Sequence, residues 1–299
     1  MKGWRDTTKK QYQVYFKKWI KFCTYKKWST TTYNVQNCVK FLMNLYKEHS
    51  SYSAINTARS ALSALFDDPP IGENVTIKRF MRGIFNTRPN KPRYMKIWDV
   101  SIVLNYLDKK SPARELTLQE LTMKVLTLCA LVSAQRCQTI HAMDLKYCDI
   151  KDTSIVFNIM TLLKHNTPRN CKSEVVLPSY PNNKRLCVVT YIKQYIKRTK
   201  PFRNSSKLFL SYIAPHRPVS KDTISRWLKM TLQKAGINTA IYKAHSTRAA
   251  ATSAVVKEVD ISTILKAAGW SNSRTFGTYY QKKVEAKKGT FGRAVLQKK

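Results

Sequence analysis

Residues 241–284, near the C-terminus, form the stretch that most constrains the fold. The stretch opens with a His-x-x-Arg pair, His245 and Arg248, at the start of an alanine-rich run that predicts a helix. The three-residue spacing puts both side chains on one helical face. An apolar run from Ile261 to Ala268 predicts a second helix, and Gly269 directly after it is a typical C-terminal cap.

Aromatic residues follow that glycine in a compact group. Trp270 comes first, and Ser271 or Asn272 is expected to cap a last short helix. That helix is predicted to carry three aromatic residues, Phe276, Tyr279 and Tyr280. An imidazole, a guanidinium, an indole N–H and two phenols within one segment suggest the attack of a phenol on a phosphate.

A structural interpretation of the same residues competes with this chemistry. Phe276, Tyr280 and Val284 lie at positions i, i+4 and i+8, a stripe that is typical of a helix packed against a core. The functional interpretation therefore depends on the combination of residue types, because a His-x-x-Arg pair taken alone is common in helices.

The charge of the chain indicates its partner. Lys and Arg number 54 and Asp and Glu 17, so the formal net charge is +37, and the basic residues are spread over the whole sequence. Such an excess indicates a polyanion, and nucleic acid is favoured over a membrane surface. We expect no signal peptide, and no apolar run approaches the roughly 20 residues that span a bilayer. The seven cysteines are an odd number without a Cys-x-x-Cys pair, which predicts reduced thiols and no zinc site.

Residues 1–88 predict a helical module. Thr7 or Thr8 is expected to cap a first helix, residues 35–46 form a second, and a third begins near Ser53. The polar face of the third helix suits contacts with phosphates and base edges in a major groove, although a solvated face is an equal alternative. The candidate DNA-binding residues on this face are Ser53, Asn56, Arg59 and Ser60.

Residues 89–97 predict an extended linker, because proline and the residue before it resist helix formation. The basic residues in and beside it are further candidates for DNA contact: Arg88, Lys91 and Arg93. We place the domain boundary here, with a second domain at residues 98–284 and a C-terminal tail at residues 285–299.

The second domain is predicted to be mainly helical with one β-hairpin. Helices are expected at residues 100–107, 116–135, 186–198 and 221–235, the last capped by Ser220. Arg136 follows the apolar second helix of this domain, where it is an ion-pair anchor or a phosphate ligand. The sequence changes to a β-like period between residues 149 and 178. Lys164 lies at the end of the first hairpin strand, and Lys172 is the alternative lysine near the same cleft; both are also compatible with solvated side chains.

Three segments resemble the tyrosine recombinase (phage integrase) superfamily. They are QRCQTIHAMDL around Arg136, AHSTRAAATS around His245 and AAGWSNSRTF around Trp270. The resemblance is closest to recombinases of eukaryotic mobile elements of the Crypton and DIRS-like type. Further support comes from YSAINTARSALSALF and FLSYIAPHRPVSKDTISRW, so that the resemblance spans about residues 8–284.

The resemblance implies roles for individual residues. The implied catalytic set is Arg136, Lys164, His245, Arg248, Trp270 and Tyr280, with Tyr279 as the alternative nucleophile and Lys172 as the alternative lysine. Tyr280 is preferred because it follows an aromatic residue, as in the Phe-Tyr pair typical of Crypton-like enzymes. An acidic residue often found after the first arginine is absent, and Gln138 and Thr139 stand in its place.

The implied fold is a C-shaped clamp, with an N-terminal helical core-binding (SAM-like) domain and a C-terminal catalytic domain. The implied activity is cleavage and rejoining of double-stranded DNA through a 3′-phosphotyrosine, without metal, ATP or other cofactor. The protein is expected to associate with itself, as a dimer on one site and as a tetramer in the synaptic complex, with a tail that is exchanged between subunits. A eukaryotic recombinase would act in the nucleus. The alternatives are a DNA-binding protein of the same fold with idle chemistry and a relative of type IB topoisomerases.

Overall fold

The computed structural model describes residues 3–66, 71–90, 93–163, 173–270 and 273–284. In the last of these ranges the side chains at positions 275, 278, 279, 283 and 284 are outside the description. The chain divides into two units, Met1–Lys91 and Pro92–Lys299. The division falls inside the predicted linker.

The described part of the first unit is helical. Its helices are α1 (Asp6–Lys26), α2 (Val35–Lys47), α3 (Tyr52–Ser63) and α4 (Val75–Thr87). Side-chain oxygens of Asn34, Ser51 and Asn74 accept backbone N–H groups at the starts of α2, α3 and α4. Such caps satisfy donors that have no partner inside the helix.

The start of α1 differs from the prediction. The helix begins at Asp6, before both Thr7 and Thr8, and Arg5 occupies the cap position without a side-chain capping bond. The predicted threonine cap is therefore wrong. The carboxylate of Asp6 in the first turn complements the positive end of the helix dipole instead.

The core of the first unit lies between these helices. Apolar side chains at helical spacing supply it, as the amphipathic pattern predicts. Its largest fully buried members are Trp19, Phe41, Leu42, Leu45, Ile55 and Leu62. On α3 the buried positions are Ile55, Ala58, Ala61 and Leu62, which leaves the polar side of that helix at the surface.

The second unit is also mainly helical. Its elements are β1 (Lys96–Ile97), α5 (Val100–Lys109), α6 (Leu118–Ser133), α7 (Cys137–Ala142), β2 (Cys148–Ile150), β3 (Ser154–Ile159), β4 (Ser173–Pro178), α8 (Val188–Thr199), α9 (Lys221–Lys234), α10 (Ser246–Ala254), α11 (Ile261–Ala268), α12 (Ser273–Tyr279) and β5 (Lys283–Val284). Ser220 caps α9 as predicted, since its hydroxyl accepts the N–H of Thr223. No helix among the described residues is long and apolar enough to cross a membrane.

Helix α6 forms the centre of the second unit. It begins with a capping box between Thr117 and Glu120 and is buried along nearly its whole length, packed against α8 and α9. It ends at Ala134, which adopts a left-handed conformation with φ of 49°. This turn directs the chain into Gln135 and Arg136.

A three-stranded antiparallel sheet, ordered β2-β3-β4, packs at one side of the unit. The pair β3 and β4 confirms the predicted hairpin, with Phe157 opposite Val175. Strand β2 was not predicted, because three residues are too few to display a period.

A second, two-stranded pairing joins the first strand of the unit to the last described strand. Residues 96–97 of β1 lie parallel to residues 283–284 of β5. Tyr94 and Ile97 are also buried in the core of the second unit. The predicted linker is therefore too long at its C-terminal end, because its last residues belong to the second unit.

Lys124 is an unusual member of that core, with a side chain that is 1% exposed. Its ammonium group donates to the carbonyl oxygens of Leu107 and Lys110 at 2.8 and 2.6 Å and to the hydroxyl of Ser111 at 3.1 Å. It also lies 3.8 Å from the centroid of the Tyr191 ring. Burial lowers the pKa of Lys124 to about 8. A lysine thus caps the C-terminal end of α5, where carbonyl groups need donors.

We predict that Lys124→Met destabilises the folded chain by about 1–3 kcal/mol, since two buried carbonyls lose their donor. The folded-state pKa, about 8, lies below the ordinary value of 10.5, so between these values the unfolded chain binds more protons. The stability of the wild type relative to Lys124→Met should therefore rise as the pH increases from 8 towards 10.5 and stay constant below that window. Urea unfolding at several pH values measures both effects, with the exposed Lys109→Met as the control. A difference that does not vary with pH would contradict the assignment.

Candidate active site

Helix α10 supplies two of the predicted catalytic residues. His245 is exposed at its N-cap position, whereas Arg248 is 1% exposed. The start of the helix is fixed by Trp98, whose indole N–H donates to the Ser246 hydroxyl at 2.9 Å in a buried contact. Small side chains such as Ala250 allow α10 to pack closely inside the unit.

Arg248 connects α10 to the turn after α6. Its Nη1 donates to the carbonyl oxygen of Ala134 at 2.9 Å, and its guanidinium lies 3.9 Å from the centroid of the Trp270 ring. Its Nε and Nη2 are buried and have no hydrogen-bond partner among the described residues. The orientation of this guanidinium is therefore fixed, while two of its nitrogens keep unused hydrogen-bond donors.

Arg136 lies in the same turn, at the N-cap position of α7. Its Nη1 is likewise buried and has no partner within the described residues. The neighbouring Gln135 donates from Nε2 to the carbonyl oxygen of Ala267 at 2.7 Å, which ties the turn to α11. Of the residues that replace the family's acidic group, Thr139 is buried and Gln138 is exposed.

The two arginines affect each other electrostatically. Burial, together with the positive charge of Arg136, lowers the pKa of Arg248 to about 9. The phenol of Tyr280 opposes this shift, although no contact of ordinary hydrogen-bond geometry joins it to Nε or Nη2. Two guanidinium groups of like charge at a partly desolvated position are unfavourable until an anion binds between them. The site is therefore electrostatically complementary to a phosphate.

Trp270 completes the base of the site. It follows Gly269, whose φ of 64° confirms the predicted C-terminal cap. The backbone N–H of Trp270 donates to the carbonyl oxygen of Leu265 at 2.9 Å. The indole packs against Phe276 and Tyr280 with centroid distances of 5.3 and 4.5 Å. Its Nε1 is buried without a partner in the described part of the chain. A further donor thus lies beside Arg248.

Tyr280 lies just beyond the end of α12 and brings its phenol to His245. The hydroxyl is 2.9 Å from His245 Nε2, and the guanidinium of Arg248 is 5.5 Å from the centroid of the Tyr280 ring. The side chain is half-buried. This arrangement favours the functional interpretation of Tyr280 over the core interpretation.

The helical stripe proposed for the core is not continuous. Phe276 is buried, but α12 ends at Tyr279, and Val284 belongs to strand β5. The predicted stripe is confirmed for Phe276 and Tyr280, whose rings both contact Trp270 at the edge of the core, and it is wrong for Val284. The side chain of Tyr279 lies outside the described residues. The preference for Tyr280 therefore rests on the contacts of Tyr280 and not on a comparison of the two side chains.

Several predicted residues lie outside the description or away from these groups. Lys164, Lys172 and Lys91 are not among the described residues, and their roles stay predictions. On α3, Ser53 is exposed and the other polar candidates, Asn56, Arg59 and Ser60, are partly exposed. DNA contact by this face also stays a prediction. Arg93 is exposed, with its guanidinium 5.7 Å from the centroid of the Tyr94 ring.

Arg88 has an internal role in the first unit. Its Nη1 donates to the carbonyl oxygens of Tyr46 at 2.9 Å and Ser50 at 3.4 Å, and the guanidinium lies 3.9 Å from the centroid of the Tyr46 ring. These contacts join the end of α4 to the end of α2. The guanidinium is engaged within the protein, which fits a structural role better than the predicted phosphate contact.

Sequence reasoning missed the residues that hold the site together. Trp98, Ser246 and Gln135 make the long-range hydrogen bonds described above. A polar residue inside an otherwise apolar or alanine-rich segment, as at Gln135 and Ser246, was the available signal. Its partner could not be read from the sequence, because each partner lies more than a hundred residues away.

Solved structures of tyrosine recombinases have a similar fold. XerH site-specific recombinase bound to palindromic difH substrate in a post-cleavage complex is 14% identical, with 96% of this chain and 77% of that chain covered and a TM-score of 0.66. A lambda integrase dimer bound to a COC′ core site is 16% identical, with 96% and 76% covered and a TM-score of 0.55. The Tn1549 transposon integrase in complex with circular intermediate DNA is 13% identical, with 89% and 85% covered and a TM-score of 0.54.

At these identities the solved structures show a shared fold, and the family assignment comes from the sequence. No curated protein sequence matches the chain. The profile described as "Phage integrase family" matches residues 104–286, which include all the groups brought together around Tyr280. Because the match covers more than half of the chain, the protein belongs to the phage integrase family of tyrosine recombinases.

Proposed function

We propose that the protein is a site-specific DNA recombinase that cleaves and rejoins strands through a 3′-phosphotyrosine formed by Tyr280. One observation carries the proposal. The phenol of Tyr280 is 2.9 Å from His245, beside buried N–H groups of Arg248 and Trp270 that have no partner among the described residues. Donors that converge beside a nucleophile and lack acceptors suit a phosphate that the site is built to receive.

The residues have distinct tasks in this reaction. The Tyr280 oxygen attacks phosphorus, a new O–P bond forms, and the bond to the 5′ oxygen breaks. Negative charge grows on the non-bridging oxygens, where Arg136 and Arg248 can donate paired, charge-assisted hydrogen bonds. The Trp270 indole N–H donates to the same phosphate. Because the phosphodiester energy is kept in the covalent intermediate, resealing needs no ATP.

Two protons move during cleavage. His245 Nε2 is positioned to assist removal of the proton from the Tyr280 phenol. The leaving 5′ oxygen needs a proton, and we assign this general-acid role to Lys164, with Lys172 as the alternative. Residues 164–172, which include both lysines, are not among the described residues.

Assembly on DNA follows from charge and from the fold relatives. The +37 net charge supports binding to double-stranded DNA. Among structures with the same fold are a lambda integrase dimer on a core site and a lambda integrase tetramer bound to a Holliday junction. We infer that this chain acts as a dimer on one site and a tetramer in synapsis. Exchange of residues 285–299 between subunits belongs to the same proposal and concerns residues outside the description.

The biological setting is a finer proposal. Motifs similar to those of Crypton and DIRS-like elements support a role in the integration or excision of a eukaryotic mobile element, and hence action in the nucleus. The Tn1549 transposon integrase among the fold relatives is compatible with a mobile-element role. The alternative is a DNA-binding protein with idle chemistry, which would bind the same sites and form no covalent adduct.

The test of the proposed function is covalent trapping on a nicked suicide substrate, with Tyr280→Phe and Tyr279→Phe measured separately. We expect that Tyr280→Phe forms no adduct, because it lacks the attacking oxygen, whereas Tyr279→Phe keeps at least part of the activity. Adduct formation by Tyr280→Phe and not by Tyr279→Phe would reverse the assignment. Binding by the wild type without any adduct would favour the idle protein.

Replacing Arg248 should separate activity from stability. We predict that Arg248→Met slows cleavage by about 10²-fold or more, because a donor to the transition state is lost. Its unfolding temperature should stay close to that of the wild type, because removal of a buried charge without an anion offsets the loss of the hydrogen bond to Ala134. Sulfate should stabilise the wild type more than Arg248→Met at matched ionic strength.

The exposed Arg226→Met is the matched control for that experiment and should keep the wild-type response to sulfate. Equal sulfate responses of the wild type and Arg248→Met, measured by thermal unfolding, would contradict an anion site at Arg248.

Salt dependence tests the electrostatic part of the proposal. We expect the logarithm of the DNA-binding constant to fall linearly with the logarithm of salt concentration, with a slope of about −0.9 for each phosphate contacted. Titrations between about 50 and about 200 mM salt measure this slope. An affinity that stays constant over this range would contradict binding dominated by phosphate contacts.

A further inference from the structure

Ser253, on the last turn of α10, forms hydrogen bonds to the backbone of Tyr280 and of Lys282, on either side of Gln281. The side chain is buried at 5% exposure. Its hydroxyl donates to the carbonyl oxygen of Tyr280 at 2.8 Å and accepts the N–H of Lys282 at 3.0 Å. One hydroxyl therefore holds the segment that follows Tyr280 against the helix that carries His245 and Arg248.

The direction of this contact distinguishes Ser253 from its neighbour. Serine and threonine inside a helix commonly donate to a carbonyl of their own helix. Thr252 does so, with its hydroxyl 2.8 Å from the carbonyl oxygen of Arg248. Ser253 instead bonds across to a separate segment of the chain.

The described segment also makes backbone hydrogen bonds that do not involve α10. The N–H groups of Tyr280 and Gln281 donate to Phe276, at 2.8 and 2.9 Å, and so fix the segment to α12. Strand β5 pairs with β1 through two residues. The hydrogen bonds of Ser253 tie the backbone of Tyr280 directly to α10.

We infer that Ser253 is a positioning residue that holds the Tyr280 phenol in line with the groups of α10 before it attacks. This inference rests on the proposed function of Tyr280. Orientation of a free nucleophile contributes strongly to the rate of attack. In the covalent intermediate the phenol oxygen is already bonded to phosphorus, and this bond fixes its position. The hydroxyl of Ser253 therefore contributes less to the rate of religation than to the rate of cleavage.

Cleavage and religation should therefore respond differently to the loss of this hydroxyl. Ser253→Ala is expected to slow single-turnover cleavage of a suicide substrate at least tenfold, whereas religation of the preformed adduct by a 5′-hydroxyl strand changes less than threefold. DNA affinity should stay unchanged. Ser253→Thr keeps the hydroxyl and should restore most of the cleavage rate. A general disturbance of the helix would slow both steps alike and would overturn the inference.

Thr252→Val provides the matched control. It removes a buried hydroxyl from the same helix, but that hydroxyl bonds only within α10. Both reaction steps should stay within threefold of the wild type. A defect in Thr252→Val equal to that of Ser253→Ala would show that any lost hydroxyl has this effect, and it would overturn the role given to Ser253.

Amide hydrogen exchange tests the contact independently of activity. The N–H of Lys282 should exchange at least tenfold faster in Ser253→Ala than in the wild type, and Ser253→Thr should restore its protection. If the wild type forms no adduct, the proposed function is wrong. The exchange rate of the Lys282 N–H still shows whether Ser253 holds this segment. If the wild type forms the adduct while Ser253→Ala matches it in cleavage and in exchange, the positioning role is wrong.

Discussion

The buried guanidinium of Arg248 is the interaction on which the arrangement of the proposed active site depends. A cation at 1% exposure is retained because its Nη1 donates to Ala134 and its face lies against the Trp270 ring. These contacts fix its direction without neutralising its charge. Arg136, brought near by the left-handed turn at Ala134, adds a second like charge. In the proposed function, this local loss of stability leaves side chains that need not rearrange when an anion binds.

Helix α10 connects Arg248 to several other parts of the second unit through hydrogen bonds along its length. Its first residue, Ser246, is held by Trp98, its middle by the Arg248 bond to Ala134, and its last turn contacts the chain after Tyr280. Each contact joins α10 to a different part of the second unit. Small side chains along the helix make this possible, because bulky ones would separate it from the elements it must contact. Displacing α10 would thus disturb Arg248 and the segment around Tyr280 together, which are the groups to which we assign phosphate binding and attack.

Local features of the fold could be predicted from the sequence, and distant partners could not. Gly269 and Ser220 act over a few residues, so their caps follow from residue type alone. The hairpin of β3 and β4 follows from a change of period. The pairing of Lys96 with Lys283 has no such local signal, and neither has the ammonium of Lys124 under the end of α5. Tertiary contacts decide these features, and a single sequence does not display them.

The same distinction explains why the choice between Tyr279 and Tyr280 was difficult. Adjacent helical residues point about 100° apart, so the last turn of a helix presents one of them to a given site. Helix α12 ends at Tyr279, but the N–H of Tyr280 still donates to the carbonyl oxygen of Phe276, and both rings contact Trp270. The phenol of Tyr280 reaches His245 while Phe276 stays in the core. The position of Tyr280 just past a helix end thus combines a contact to His245 with a short connection to β5, and this geometry is compatible with the role of nucleophile that we propose for it.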